Sequence, residues 1–200
     1  MASQLLSSER LSKPCAIGIT SSLNNEGKTT VSIALASALA LENRKQSVLV
    51  EADMDNPSIA DDFGLDPAHG ISNYLAGMSP ANSVVQPTQT PNLFAIAANK
   101  YPDATKNNTS LLRKRFPELL AALKNQFFFT IVDLPPVSDA NTKALVECLD
   151  GVLLVVRANV TPIEKLKAAA REMEGPKLMG VIQVGPEVRV PRWFTSLTSE

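Results

Sequence analysis

The feature that most constrains the fold is the loop from Ser22 to Thr30, which reads Ser-Leu-Asn-Asn-Glu-Gly-Lys-Thr-Thr. It follows the apolar run 15–20 and opens the periodic segment 31–41, which contains no Gly or Pro, so it joins a predicted buried strand to a predicted helix. A loop that closes onto a helix N-terminus offers unpaired backbone N–H groups and the positive end of the helix dipole. We therefore expect an anion, and specifically a phosphate, to bind here.

The residues of this loop point to a nucleoside triphosphate and Mg²⁺. The loop follows the pattern G-x-x-x-x-G-K-[ST], with Ser22 in place of the first glycine. Gly27 lets the backbone approach the phosphates, Lys28 can reach the β- and γ-phosphate oxygens, and the Thr29 hydroxyl can ligate Mg²⁺. A Gly-Lys-Thr turn that only caps a helix is the alternative. The predicted nucleotide-binding residues of the loop are Asn24, Asn25, Glu26, Gly27, Lys28, Thr29 and Thr30.

The overall composition favours one globular α/β domain. The 200 residues suit a single well-buried domain, with 44% hydrophobic and 20% charged residues, and the net charge of -1 argues against general nucleic-acid binding. We expect an N-terminal extension at 1–14, the domain at 15–185 and a C-terminal tail at 186–200. Cys15 and Cys148 fall in predicted buried elements, which indicates core thiols and a reducing compartment. No signal core or membrane-spanning run is found, so we expect a cytoplasmic protein without membrane insertion.

Two further strands are predicted to end in carboxylates. The run 47–50 leads into Glu51 and Asp53, and the run 127–132 leads into Asp133. Ligands of open parallel sheets bind outside the carboxyl ends of the strands, so these side chains should share an edge with the phosphate loop. A hydrophobic strand that delivers one aspartate beside Mg²⁺ is typical of phosphate-loop proteins. Because both aspartates lie at strand ends rather than in the core, we expect Asp53→Asn and Asp133→Asn to weaken Mg²⁺-dependent binding and to leave the fold intact.

The remaining pattern predicts a doubly wound, mostly parallel sheet in three α/β/α layers. Strands alternate with helices, and the segment 77–91 is interpreted mainly as a loop. A separate feature is the lack of Lys and Arg between Lys45 and Lys100, a stretch that holds six carboxylates. This acidic stretch is either a solvated loop, a metal site or a docking surface for a basic partner. The six predicted strands are 15–20, 47–50, 93–97, 127–132, 151–156 and 178–184.

Three segments agree with one family in order and spacing. The loop around Lys28, the segment Val50 to Pro57 and the segment Val132 to Pro136 together resemble the cytoplasmic ATPase domain of the bacterial tyrosine kinases of capsule and exopolysaccharide biosynthesis. That domain belongs with the septum-site and chromosome-partitioning ATPases of the deviant Walker A class. The stretch from Gly64 to Gly77 is also similar to the family's "FGL…GLSDLLAG".

The resemblance implies ATP and Mg²⁺ as cofactors and phosphoryl transfer to a protein tyrosine or to water. It implies Thr29, Asp53 and Asp133 as metal ligands, Lys28, Glu51, Asp53 and Asp133 as catalytic residues, and Gln183 as the residue that reads the base. Either Glu51 or Asp53 is the candidate base. The implied partners are further copies of the chain and the cytoplasmic tail of a membrane polysaccharide chain-length protein, which would hold the protein at the inner face of the membrane.

The sequence also departs from the family pattern. Asp55 stands where the family has an arginine, the segment 185–200 has no tyrosine, and only Tyr74 and Tyr101 occur in the chain. We therefore expect little self-phosphorylation, confined to Tyr101, or action on another protein. These departures leave a second interpretation open, in which the chain is a regulatory nucleotide-binding module or a positioning ATPase that switches partner contacts.

Overall fold

The computed structural model describes residues 13–99, 109–173 and 177–185. Strands and helices alternate along most of this part of the chain, as the sequence predicts. The strands are β1 (Cys15–Ser21), β2 (Ser47–Glu51), β3 (Gln86–Pro87), β4 (Leu93–Ile96), β5 (Phe129–Asp133), β6 (Gly151–Arg157) and β7 (Leu178–Val184). The helices are α1 (Lys28–Asn43), α2 (Ile59–Phe63), α3 (Ile71–Leu75), α4 (Thr109–Lys124), α5 (Thr142–Glu147) and α6 (Ile163–Glu172), with a 3₁₀ turn at Ala81–Ser83.

The described strands form one sheet in the order β3-β4-β2-β5-β1-β6-β7. All neighbouring pairs are parallel except β3 with β4. Strand β1 is buried along its whole length between β5 and β6, so the loop that follows it emerges from the middle of the sheet. The predicted doubly wound, mostly parallel sheet is confirmed.

One strand was missed by the sequence analysis. Strand β3 lies in the segment that we interpreted mainly as a loop, and it pairs antiparallel with β4 through Gln86 opposite Ala95 and Pro87 opposite Phe94. A strand of two residues has no alternation to detect, and proline is tolerated at the edge of a sheet. This strand closes one edge of the sheet and lies far in sheet order from the phosphate loop.

The core lies on both faces of the sheet, because successive strand residues point to opposite sides. Ile17 and Ile19 of β1 pack with Leu35 and Leu39 of α1 on one face. On the other face, Phe116 of α4 belongs to a cluster with strand residues from five strands. These strand residues are Ala16, Val48, Val50, Ile96, Val132 and Val152. Both helices are thereby fixed against the sheet, and α1 holds the phosphate loop in place.

Both cysteines are free; Cys15 is buried, as predicted for a core thiol, whereas Cys148 is only half-buried. Burial raises the pKa of the Cys15 thiol to about 11, so it stays protonated. Among the described residues no helix has both the length and the apolar character needed to cross a membrane. Residues 1–12 and 186–200 lie outside the described part, so the extension and the tail remain predictions.

Candidate functional site

The loop between β1 and α1 has the backbone shape that a phosphate loop requires. Gly27 is the N-cap of α1 with φ 90°, a left-handed conformation that favours glycine, and Asn25 also has positive φ at 63°. No side chain caps the first turn of α1. Its first N–H groups therefore remain available to an anion at the positive end of the helix dipole.

A cleft of about 360 Å³ opens above this turn. Its lining combines the phosphate loop with the segment that follows β2, and it contains five of the predicted nucleotide-binding residues. Asn56 and Ser58 are additions that the sequence analysis did not single out. Asn24 is exposed in the same loop but does not line the cleft. The lining residues are Asn25, Gly27, Lys28, Thr29, Thr30, Asn56 and Ser58.

Lys28 lines this cleft and forms an ion pair with Asp53, with Lys28 Nζ 2.6 Å from Asp53 Oδ2. Both side chains are buried. The other carboxylate oxygen, Asp53 Oδ1, accepts a long hydrogen bond from the Asn56 backbone N–H at 3.3 Å. The structure thus brings together the predicted phosphate-binding lysine and one predicted metal ligand from a strand end.

Asp133 lies beside the first turn of α1. Thr29 Oγ1 donates to Asp133 Oδ2 at 2.7 Å, and Ser32 Oγ donates to Asp133 Oδ1 at 2.9 Å. Burial raises the pKa of Asp133, while the nearby Lys28 and the two hydroxyl donors oppose that rise. Asp53 and Asp133 are each 1% exposed, so our expectation that they lie outside the core is wrong.

The Glu51 carboxylate binds backbone N–H groups. Its Oε1 accepts from the N–H of Ser58 at 2.6 Å and of Ile59 at 3.0 Å, and its Oε2 accepts from the N–H of Ala98 at 2.7 Å. The side chain is 0% exposed and does not line the cleft. Burial raises its pKa even against these three donors. Glu51 therefore acts as a brace that joins the ends of β2 and β4 to the start of α2.

Glu26 and Gln183 were also predicted to bind the nucleotide, but neither lines the cleft. Glu26 is buried and accepts from the Leu23 N–H at 2.9 Å and from the Thr161 hydroxyl, so its side chain shapes the loop. Gln183 is exposed on the edge strand β7. Its neighbour Val184 is the residue next to the loop, since a Cβ built on Gly27 would lie 3.5 Å from Val184 Cγ1.

Some of the residues missed by the sequence analysis had a detectable signal. Ser32 lies four residues after Lys28, one turn along the same helix face, so helical spacing alone could have placed it beside the loop. Thr161 is 135 residues away from Glu26, and nothing in its local sequence indicates that contact. Asn56 and Ser58 follow the predicted strand end closely enough for proximity to suggest them.

The oxygen atoms at this site suit Mg²⁺. The Thr29 hydroxyl and the carboxylates of Asp53 and Asp133 are hard oxygen donors of the kind that Mg²⁺ binds, together with water and substrate phosphates. The buried Ser22 hydroxyl at the start of the loop has no hydrogen-bond partner among the described residues. No cluster of three or more His, Cys, Asp or Glu able to hold a metal occurs in that part of the chain. A metal ion here would therefore take some of its ligands from a bound phosphate.

These features define the class of the protein. A central parallel strand leads through a Gly-Lys-Thr loop into a helix, and two neighbouring strands bring carboxylates to the same edge, which is the arrangement of a phosphate-loop nucleoside triphosphatase. A family model described as an AAA domain matches residues 17–174. The chain belongs to this AAA-domain family.

The individual relatives are bacterial tyrosine kinases. The tyrosine-protein kinase CpsD of Streptococcus agalactiae serotype III (strain NEM316) is 32% identical over 171 residues, which cover 83% of this chain and 72% of CpsD. The kinase domain of the Escherichia coli tyrosine kinase ETK superposes with a TM-score of 0.80 at 25% identity, covering 87% of this chain and 68% of that domain. The predicted resemblance to the exopolysaccharide tyrosine kinases is confirmed.

A more distant likeness shows the wider fold. The septum site-determining protein MinD from Pyrococcus horikoshii OT3, complexed with Mg-ADP, superposes with a TM-score of 0.69 at 19% identity. It covers 85% of this chain and 70% of that protein. This likeness concerns the fold alone, and it agrees with the predicted relation to the septum-site ATPases.

Proposed function

We propose that the chain binds Mg·ATP and transfers the γ-phosphoryl group to a protein tyrosine or to water. The observation that supports this most is the convergence of four side chains at the N-terminus of α1, where Lys28 and Thr29 line the cleft and contact the buried carboxylates of Asp53 and Asp133. An ammonium group, a hydroxyl and two carboxylates are the groups that phosphoryl transfer requires for charge stabilisation and metal binding.

Nucleotide binding requires Lys28 to exchange partners. Its ammonium group pairs with Asp53 in the structure, and a triphosphate in the cleft would replace that carboxylate by phosphate oxygens. Asp53 Oδ2 would then be free for a metal-bound water or a proton. Thr29, Asp53 and Asp133 would hold Mg²⁺ directly or through water, and bound Mg²⁺ supplies neutralisation of charge on the β- and γ-phosphates.

In the transfer step, the acceptor oxygen bonds to the γ-phosphorus as the bond from phosphorus to the oxygen bridging to ADP breaks. The acceptor's proton passes to a carboxylate, and we assign that role to Asp53. Glu51, the other candidate base, is less suitable because both of its oxygens are occupied by three backbone N–H donors. Lys28 and the loop amides stabilise the charge on the migrating group.

The acceptor is proposed to lie on another protein. Tyr74 is 5% exposed, the Arg115 guanidinium lies 4.6 Å from its ring centroid, and its hydroxyl donates to the Arg115 carbonyl at 3.3 Å. This phenol is packed inside the fold, which removes it as an acceptor. Tyr101 lies outside the described residues, and phosphorylation there remains a prediction.

The cellular setting is likewise a proposal that rests on the family. We infer a cytoplasmic protein that self-associates and meets the cytoplasmic tail of a membrane polysaccharide chain-length protein, at the inner face of the membrane. Nucleic acid and direct membrane insertion have no part in it. Selection of the adenine base by Gln183 also remains a proposal, because the side chain is exposed on β7 and does not line the cleft.

A second candidate function is a regulatory nucleotide-binding module with little turnover. The observation that favours it is Asp55, an exposed carboxylate at the position where the family has an arginine that could stabilise charge. A negative side chain there opposes the charge that develops during transfer.

One experiment separates the two candidates. The pure protein is incubated with Mg·ATP, alone and with a tyrosine-containing peptide, and phosphosites and released phosphate are measured by mass spectrometry and a phosphate assay. Phosphotyrosine supports the kinase, phosphate release alone supports an ATPase, and nucleotide binding with neither product supports the regulatory module. Equal activity in a Lys28→Met variant would contradict the proposed site.

A further inference from the structure

A second cleft, of about 370 Å³, lies next to the phosphate cleft. The two clefts share Ser58, which lines both. We propose that this second cleft binds the side chain of the acceptor tyrosine, presented by a basic segment of another protein. This inference rests on the proposed function, because it names the acceptor side of the same reaction. The other lining residues are Pro57, Ala60, Asp61, Pro67, Ala98 and Asn99.

The position of the second cleft suits an acceptor. Lys28, which lines the phosphate cleft and pairs with Asp53, marks the place where the terminal phosphates would lie. Asn56 and Ser58 continue the wall from Asp53 toward the second cleft, since both follow it closely in the chain and both line the phosphate cleft. A side chain held in the second cleft is therefore next to the group to be transferred.

The walls of the second cleft are formed in advance by hydrogen bonds. Glu51 accepts from the backbone N–H of both Ser58 and Ala98, so one buried carboxylate joins two segments that line the cleft. Asn99 Oδ1 accepts from the Ser72 N–H at 3.1 Å, which fixes the amide that completes the wall. A pre-formed cleft binds its ligand without the cost of ordering the wall.

The lining chemistry suits an aromatic ring. Two prolines and two alanines give apolar walls, while Ser58, Asp61 and Asn99 are the polar residues. The volume falls within the range of about 300–1,000 Å³ that is typical of ligand clefts. A phenol ring fills such a space with apolar contact and leaves its hydroxyl at the polar end.

The charge around the second cleft favours a basic partner. Asp55, Asp61 and Asp62 are exposed, and none of them takes part in the ion pairs found within the described residues. The sequence places no Lys or Arg between Lys45 and Lys100 to offset them. Lysines that flank an acceptor tyrosine would find complementary charge here, whereas an acidic segment would be repelled.

The test uses the full chain with Mg²⁺ and a non-hydrolysable ATP analogue. The probe is a fluorescein-labelled peptide in which one tyrosine lies between two lysines on each side, and its binding is followed by fluorescence anisotropy. Two matched variants change the same charge one residue apart: Asp61→Lys lies in the cleft lining, whereas Asp62→Lys does not. Thermal stabilisation by Mg·ATP is measured in each variant as the control for the phosphate cleft.

We expect Asp61→Lys to raise the dissociation constant of the peptide about tenfold, and Asp62→Lys to raise it less than about threefold. Replacing the tyrosine of the probe by alanine should weaken binding about tenfold, because the ring is the part that enters the cleft. Stabilisation by Mg·ATP should be the same in both variants and in the parent protein. These three results together support the assignment.

Equal binding of the tyrosine and alanine peptides, or equal weakening by Asp61→Lys and Asp62→Lys, would overturn the cleft assignment, since binding would then reflect diffuse charge alone. Failure of the proposed function has a different signature. Tyrosine-dependent, Asp61-dependent binding with the analogue, but no phosphotyrosine on the same peptide after incubation with Mg·ATP, supports the cleft and overturns the transfer reaction.

Discussion

The ion pair between Lys28 and Asp53 gives a stability effect that can be worked out from the structure. The exposed fractions of the two side chains are 8% and 2%, and the N–O distance is 2.6 Å. Lys28→Met keeps most of the aliphatic stem but removes the ammonium group, so the Asp53 carboxylate is left with donors from Asn56 at 3.3 and 3.5 Å. Breaking a buried pair on one side costs about 3–5 kcal/mol.

The double variant Lys28→Met/Asp53→Leu provides the matched control. Replacing a buried ion pair by apolar side chains is often neutral or stabilising, so we expect its free energy of unfolding to lie within about 2 kcal/mol of the parent value. The loss in Lys28→Met is large against a typical total of about 5–15 kcal/mol. Urea unfolding of the nucleotide-free parent, Lys28→Met, Asp53→Leu and the double variant, followed by circular dichroism, measures all four values. A loss below about 1 kcal/mol in Lys28→Met, or a double variant as unstable as the sum of the two single changes, would refute the reasoning.

Other substitutions test the brace and the loop. Glu51→Gln leaves at least one of three backbone N–H groups without an acceptor, so urea unfolding should show a loss of about 1–3 kcal/mol. The raised pKa of Glu51 means that the folded state binds more protons than the unfolded state above the ordinary value of 4.5. The free energy of unfolding therefore falls as pH rises through the folded pKa of Glu51. Glu51→Gln should reduce that fall. An unchanged pH profile would argue against a Glu51 pKa raised by burial. Gly27→Ala places a Cβ at φ 90°, which should lower the free energy of unfolding by about 1–2 kcal/mol. Calorimetry should also show weaker nucleotide binding. An unchanged free energy of unfolding would count against the backbone shape described here.

The sequence predicts the layout of the fold because its strongest signals are local. The apolar run before Ser22 and the glycine-free helix after it place β1, the loop and α1, and abrupt ends of apolar runs place Asp53 and Asp133 at one sheet edge. Parallel strands then bring those ends together with no further information. Strand β3 is not predicted in this way, because two residues are too few to show a periodic pattern.

The sequence does not predict how each side chain is used. Glu51 has the same charge and strand-end position as a metal ligand or a base, yet its oxygens bind the N–H groups of Ser58, Ile59 and Ala98. The contact to Ala98 spans 47 residues, so it depends on the three-dimensional pairing of β2 with β4. Burial of Asp53 and Asp133 likewise results from α1 packing over the strand ends, which no local pattern reveals.

The central claim is that Mg·ATP binds at the loop around Lys28, and thermal unfolding with and without ligand tests it most directly. A ligand at 100 times its dissociation constant stabilises the folded state by about 2.7 kcal/mol. We predict a rise of that size in the parent protein with saturating Mg·ATP and the same rise in Lys143→Met, where the changed residue is exposed on α5. Most of the rise should disappear in Lys28→Met. No stabilisation of the parent protein by saturating Mg·ATP, or the full rise in Lys28→Met, would contradict the assignment of this loop as the nucleotide site.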